Sequence, residues 1–365
     1  MTETGEHEII EFPAPLIVTS GDPAGIGPEV THKAIKKLQR RKEILPQCPV
    51  VVIGDAMLFA QHLDKPSGMQ TYHIVPVDDF VEDCEYLLGH LMPAGDEPWR
   101  PIFLDCGFKD DKLISPGKPG KDSAERAATY LEVAVEILSD EIADAVCTAP
   151  ICKDNMPKEA FPFPGQTEFF AEACEVKYPV MMLVGGGLRV SLVTIHMALA
   201  KVPRLLSRKG VQGTIETTHE ALIEDFGIAK PRIAVCGLNP HAGENGLFGN
   251  EEKKVIEPAI RAARKKGIEV SGPHAADSVF HHAKEGRYDA VVAMYHDQGL
   301  IPVKTLAFDE GVNMTLGLPI VRTSPDHGTA FDIAGKNEAN EQAMLNALRL
   351  ANQVANRRES VYAGI

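Results

Sequence analysis

Leu16-Ile17-Val18-Thr19-Ser20-Gly21-Asp22-Pro23-Ala24-Gly25-Ile26-Gly27-Pro28-Glu29 is the stretch whose reading decides the fold. Leu16 to Thr19 predict a short buried strand, and the glycines and prolines that follow predict a tight turn into a helix beginning near Pro28. Proline suits a first helical turn because its missing N–H has no intrahelical acceptor there. The glycines fall at 21, 25 and 27, which is not the GxGxxG spacing of a Rossmann loop. A plain strand-to-helix turn and a backbone that approaches a ligand both fit these residues.

Outward from this stretch the chain alternates. Apolar runs without period-two alternation lie at Val50 to Ile53, Ala145 to Thr148, Val190 to Ile195, Arg232 to Leu238 and Tyr288 to Met294. Segments of helical period cover Ser123 to Leu138, Gly213 to Glu224, Glu251 to Lys266 and Glu338 to Asn356. Buried strands alternating with amphipathic helices predict an α/β protein with a largely parallel sheet covered on both faces. Two apolar runs between Pro179 and Ile195, split by Gly185-Gly186-Gly187, predict a hairpin within it. The Pro/Gly-rich stretch from Leu91 to Gly120 predicts a loop region or a boundary margin, and the first dozen residues a frayed start.

Composition narrows the function classes. A chain of 365 residues suits one large unit or two packed lobes, and 44% hydrophobic against 24% charged residues supply an ordinary core. A formal charge of −14 opposes attraction to nucleic-acid phosphates or an anionic membrane, which favours a small-molecule partner. Seven scattered cysteines without a CxxC pair predict reduced thiols, as in a cytosolic protein. Thr2, Glu3, Glu6 and Glu8 are the reverse of a cationic leader, and no apolar run reaches membrane-spanning length. The expectation is cytoplasmic.

Three histidines each sit just past an apolar run: His196, His241 and His296. Ligands bind beyond the carboxyl ends of strands in open α/β sheets, so the three can converge, and three imidazoles with an open position suit a catalytic divalent ion. Singly, each is more often structural. His281-His282 is the rival pair, but adjacent helical residues point apart and Lys284, Glu285 and Arg287 mark an exposed face. Asp277 and Asp297 lie near the histidines, and Lys304, Asn313 and Arg322 could bind phosphate or carboxylate oxygens or equally be paired surface polar groups. In Asp326-His327-Gly328-Thr329-Ala330-Phe331-Asp332-Ile333-Ala334-Gly335-Lys336-Asn337, small residues beside a histidine could let backbone approach an adenine ring.

The stretches SGDPAGIGPE, TAPICK, TEFFAE, LNPHAGENG, MYHDQGL and GVNMTLGLPIVRTSPDHGTAFDIAG, in order from about Ile17 to about Asn352, resemble the 4-hydroxythreonine-4-phosphate dehydrogenase family. HGTAFDIAGK is also similar to the nucleotide segment of isocitrate and isopropylmalate dehydrogenases. The resemblance implies their two-domain, non-Rossmann α/β/α fold with an active site in the interdomain cleft. One lobe would comprise residues 1–155 and 319–365, and the other, carrying metal ligands and dimer contacts, residues 156–318. It implies NAD or NADP held by His327, Gly328, Thr329 and Asn337, and one divalent metal (zinc, magnesium or cobalt) on His196, His241 and His296. Gln166, Thr167, Lys304, Asn313 and Arg322 would contact substrate, with Lys304, Asp297 and Asp277 as candidate catalytic groups.

The implied protein is a homodimer with shared sites. Its reaction would oxidise 4-phosphooxy-L-threonine to 2-amino-3-oxo-4-phosphooxybutanoate, which loses carbon dioxide to give 3-amino-2-oxopropyl phosphate, in vitamin B6 synthesis. One departure stands out: the family pattern Gly-His-Thr-Glu reads Gly165-Gln166-Thr167-Glu168 here. A neutral amide cannot carry a proton or charge beside a phosphate. Gln166 therefore keeps open a relative acting on another phosphorylated hydroxy acid, such as a four-carbon sugar-acid phosphate; a non-catalytic metabolite-binding protein is the third possibility.

Overall fold

The computed structural model describes residues 13–44, 48–91, 93, 97–108, 114–156 and 161–362. The expected frayed start over residues 1–12 lies outside them. The strands are β1 (Leu16–Thr19), β2 (Val50–Gly54), β3 (His73–Pro76), β4 (Ile102–Asp105), β5 (Ala145–Thr148), β6 (Val180–Gly185), β7 (Leu188–Leu192), β8 (Ile233–Cys236), β9 (Val270–His274), β10 (Ala290–Ala293), β11 (Val312–Leu316) and β12 (Val321–Pro325). Among the described residues they form a single 12-stranded sheet in the order β3-β4-β2-β1-β5-β12-β11-β6-β7-β10-β8-β9.

Each flank of the sheet is parallel, and the centre is not. The pairs β12 with β11, β11 with β6, and β6 with β7 are antiparallel, so β7, β10, β8 and β9 run opposite to the strands around β1. The reversal at β6 and β7 is the predicted hairpin. Gly186 and Gly187 both take positive φ (59° and 80°), as a two-residue turn matching the strand twist requires.

β1, β2, β5 and β10 are buried at every position, which is why their sequences lack alternation. The helix Gln342–Tyr362 packs on β12 and β5 and against the helix Gly27–Arg41. On β6, Val180 and Met182 enter the core shared with β1 to β5, while Met181 and Leu183 enter a core shared with β7 and β10. The central strand thus serves two cores through its two faces.

Two expectations are refined. The Pro/Gly-rich stretch from Leu91 to Gly120 contains β4, a four-residue strand. The segment Glu251 to Lys266 opens as a π-turn, Glu252–Ile256, before the α-helix Glu257–Lys265. No helix among the described residues is long and apolar enough to cross a membrane.

The connection from β1 leads to β2 on one side while β5 returns on the other, so the loops after β1 and β5 flank a crevice of the kind that receives ligands in open α/β sheets. A second wall is the helix His296–Ala307, which Gly299 brings hard against β7. A Cβ at Gly299 would stand 2.5 Å from Leu192 Cδ2 and 2.9 Å from Val190 Cγ1. Gly299→Ala is expected to destabilise the fold by about 1–3 kcal/mol through overpacking. Urea unfolding checks this, and an unchanged midpoint would mean the helix has room to shift.

Candidate functional site

Arg322 sits on β12 with only 3% of its surface exposed. It lies opposite Thr315 across the antiparallel ladder and beside Val146 of β5. Its Nη1 donates to Thr315 Oγ1 (3.2 Å) and Thr167 Oγ1 (3.4 Å), and its Nη2 to Thr148 Oγ1 (2.7 Å) and Gln166 Oε1 (3.2 Å). All four acceptors are neutral, and no carboxylate pairs with the guanidinium among the described residues. Burial pulls its pKa down to about 10, while Cys147 and Glu168 oppose that shift. A buried cation without a counter-ion is costly, and an anionic ligand would supply the missing charge.

Around it opens a cavity of about 310 Å³. The cavity is lined by Gln166, Thr167, Lys304, Asn313 and Arg322, by His196 and His296, and by His327 and Gly328. Three of these residues hold buried polar atoms with no partner in the structure: Asn313 Oδ1, Arg322 Nε and His327 Nε2. Such orphans are rare in folded proteins, and these three face one cleft. Lys304 Nζ is 3.2 Å from Asp326 Oδ2 and also donates to the Asp326 carbonyl.

The rings of His196 and His296 have centroids 5.5 Å apart. Burial, then the charges of Lys153 and His296, lower the pKa of His196 and favour its neutral, metal-ligating form. His241 is not brought to this pair. Its side chain is 62% exposed, and its Nδ1 lies 3.2 Å from Glu244 Oε2. Among the described residues no cluster of three histidine, cysteine or carboxylate side chains converges on one point. The pair fits a divalent ion as two donors; a third does not converge on it among the described residues.

His241 belongs to an unusual turn. Residues His241, Ala242, Gly243, Glu244 and Asn245 all have positive φ, a left-handed run whose approach at Leu238 and Asn239 is held by Glu252. The Glu252 carboxylate, 3% exposed, accepts from Leu238 N, Asn239 N and Asn239 Nδ2.

Other expected residues lie apart from the main cavity. Asp297 lines the neighbouring hollow behind His296, whose Nδ1 is 2.7 Å from Asp297 Oδ1. Asp277 stands in the first turn of the helix Ala276–Lys284. The Thr329 carbonyl accepts from Ile26 N (2.9 Å), and the Asn337 carbonyl from Lys33 Nζ (3.1 Å), so that segment is tied to the loop and helix after β1. Gly25 permits the approach, since a Cβ there would meet the Thr329 carbonyl oxygen at 2.9 Å.

Thr148, Lys153, Glu168, Ser324 and Asp326 also line the cavity, unforeseen as site residues. They lie within the stretches TAPICK, TEFFAE and RTSPDHGTA, but as isolated side chains they carry no spacing signal. Lys153 adds a cation beside His196, within 3.2 Å of where a Gly165 Cβ would stand.

A buried guanidinium, two lysines and a pair of imidazoles around one cleft of a mixed sheet define an α/β enzyme site for a small anionic substrate. Comparison with known proteins gives the family. The model of the family described as pyridoxal phosphate biosynthetic protein PdxA matches residues 46–351. A 4-hydroxythreonine-4-phosphate dehydrogenase of Maricaulis maris is 42% identical over 349 residues, 94% of this chain and 98% of the relative. The crystal structure of a 4-hydroxythreonine-4-phosphate dehydrogenase from Klebsiella pneumoniae is similar with a TM-score of 0.77 at 36% identity, over 94% and 99% of the two chains. That of a terephthalate 1,2-cis-dihydrodiol dehydrogenase from Burkholderia xenovorans is similar with a TM-score of 0.60 at 28% identity, over 93% and 98%. The chain belongs to the PdxA family and, with it, to the oxidoreductases of the dehydrogenase class.

Arg322→Lys keeps the charge but loses the planar fork that spans four acceptors. Inorganic phosphate is expected to bind the variant about tenfold more weakly than the wild type. Thermal shift across a phosphate titration checks it; equal shifts would mean that Arg322 does not receive the anion.

Proposed function

We propose that this protein oxidises 4-phosphooxy-L-threonine at its 3-hydroxyl, using NAD or NADP and a divalent metal, and that the resulting β-keto acid is decarboxylated to 3-amino-2-oxopropyl phosphate. The observation that carries this reading is the single cavity that joins Arg322, Lys304, Asn313 and Thr167 to His196, His296 and the His327-Gly328 segment. His196 and His296 would hold the metal, which would supply Lewis-acid polarisation of the substrate hydroxyl, and the nicotinamide would supply the hydride acceptor.

The chain's own residues supply recognition and proton handling. Arg322, with Thr167 and Asn313, takes an anionic group of the substrate and fixes its register. Lys304 is the proton acceptor favoured by position, because it faces the cavity while Asp297 faces the adjoining hollow. Its Asp326 partner, 3.2 Å away, holds the Lys304 side chain at the cavity. Asp277 has no place in this scheme.

The same proposal covers assembly. The lobes are read as residues 1–155 with 319–365, and 156–318. In favour of a second lobe, two cores draw only on residues from 181 to 303, while the core built on β1 to β5 also takes in Phe170, Val180, Met182 and Val312 to Leu318 from across the boundary. A second copy would complete the metal site that one chain leaves with two donors, and Leu199, Ile301 and Phe308 expose apolar surface on or near the elements that carry the pair. The protein in solution is then expected to have twice the mass of the 39.6 kDa chain. A monomer by sedimentation would remove the shared-site reading.

Gln166 favours one second reading, a dehydrogenase of the same mechanism with a different phosphorylated hydroxy acid. Purified protein with added magnesium, zinc or cobalt should form NADH or NADPH from 4-phosphooxy-L-threonine. Lys304→Ala should lower kcat by about 10²-fold or more. Turnover only of another phosphorylated hydroxy acid would shift the substrate and keep the mechanism; none with any would defeat the proposal.

A further inference from the structure

Gln166 stands at the start of the helix Gln166–Ala173, 9% exposed, with both ends of its amide engaged by protein. Oε1 accepts from Arg322 Nη2 at 3.2 Å, and Nε2 donates to the Ala149 carbonyl, just past β5, at 3.0 Å. Only this orientation satisfies both neighbours. Turned over, the amide would set N–H against the guanidinium N–H and oxygen against oxygen. Gln166 is thus pinned between a backbone carbonyl and a buried cation of the cleft that has no carboxylate partner among the described residues.

The other acceptors of Arg322 are threonine hydroxyls from three elements, which hold the guanidinium in place without neutralising it. Glu168 influences it through space but makes no ion pair with it among the described residues. The chain has therefore placed an uncharged acceptor at the position nearest a carboxylate in shape. A glutamate there would differ from glutamine by one atom and would close a salt bridge with Arg322, leaving little charge for a ligand.

We propose that Gln166 is a positioning residue whose neutrality keeps the Arg322 charge available to the anionic group of the substrate, and that it acts through Arg322 rather than by contact with substrate. The inference deepens the dehydrogenase reading but is tested without turnover. Where the resembled family carries histidine, this chain holds its arginine with a group that never titrates.

The test compares inorganic phosphate binding, by calorimetry, in the wild type, Gln166→Glu and Gln166→Met, with the melting temperature of each measured in the absence of phosphate. Methionine removes the acceptor but adds no charge, so its affinity should fall about threefold; glutamate should cost about tenfold or more. The melting temperatures serve as the stability control, because in the glutamate variant the ion pair gained with Arg322 is offset by a second oxygen facing the Ala149 carbonyl. A role in packing alone would give phosphate losses that follow lost stability.

Wild-type phosphate affinity in the glutamate variant overturns the proposal. If the glutamate variant does not fold, unchanged phosphate affinity in the methionine variant overturns it instead. The expected order of affinities together with an absence of turnover on any hydroxy acid would sink the dehydrogenase assignment and leave the role of Gln166 standing.

Discussion

Arg322 is buried at the seam where the parallel flank of the sheet meets its antiparallel centre. Its donors reach β11, the end of β5 and the start of the helix Gln166–Ala173, so one side chain ties together three elements that are distant in sequence. Such a group cannot be removed from water without compensation. The four neutral acceptors satisfy its hydrogen bonds, and the cavity in front of it leaves its charge to a ligand. The binding site is in this sense a condition of the local packing, because an anion completes what the fold leaves electrically open.

The loop after β1 has the opposite character. It offers no charged side chain to the cavity, yet its backbone holds the neighbouring loops. Gly21 lies where a Cβ would stand 2.5 Å from the Pro150 carbonyl, and Gly27 where one would stand 2.3 Å from that of Ser20. Ile26 N and the Ala24 carbonyl bond Thr329 and Gly117 respectively. Close approach of backbone to backbone is what these glycines permit, and through it the segment bearing His327 and Gly328 is held at the cleft. A motif that in the sequence fits a plain turn or a ligand loop alike is, in this chain, a clamp on a loop that lines the cleft.

The long buried strands were legible because a strand covered on both faces must be apolar throughout, as Val50 to Ile53 and Ala145 to Thr148 are. The hairpin was legible from its glycines. β4 was hidden by prolines and glycines on both sides of Ile102 to Leu104, and β9 by the Gly272-Pro273 pair within it. β11 and β12 were passed over as motif, since Asn313 and Arg322 draw attention to chemistry while their neighbours form the ladder. Of the site, two histidines after adjacent parallel strands meet because neighbouring strand ends are neighbours in space. His241 follows β8, the next strand over, but its turn carries the ring away, and sequence period contains no record of a turn's handedness.

That turn has a consequence for how this surface can change. Left-handed backbone costs an ordinary residue about 1–2 kcal/mol, and four of its five members, His241, Ala242, Glu244 and Asn245, are not glycine. Glycine at Ala242 would adopt the same shape with less local strain. Glu252 holds the two residues that lead into the turn, Leu238 and Asn239, so its entry is fixed from the segment that follows it. Variation at Glu252 therefore acts at a distance: where this corner begins, and so what it displays, depends on a carboxylate eleven residues from His241 that holds the backbone leading into it.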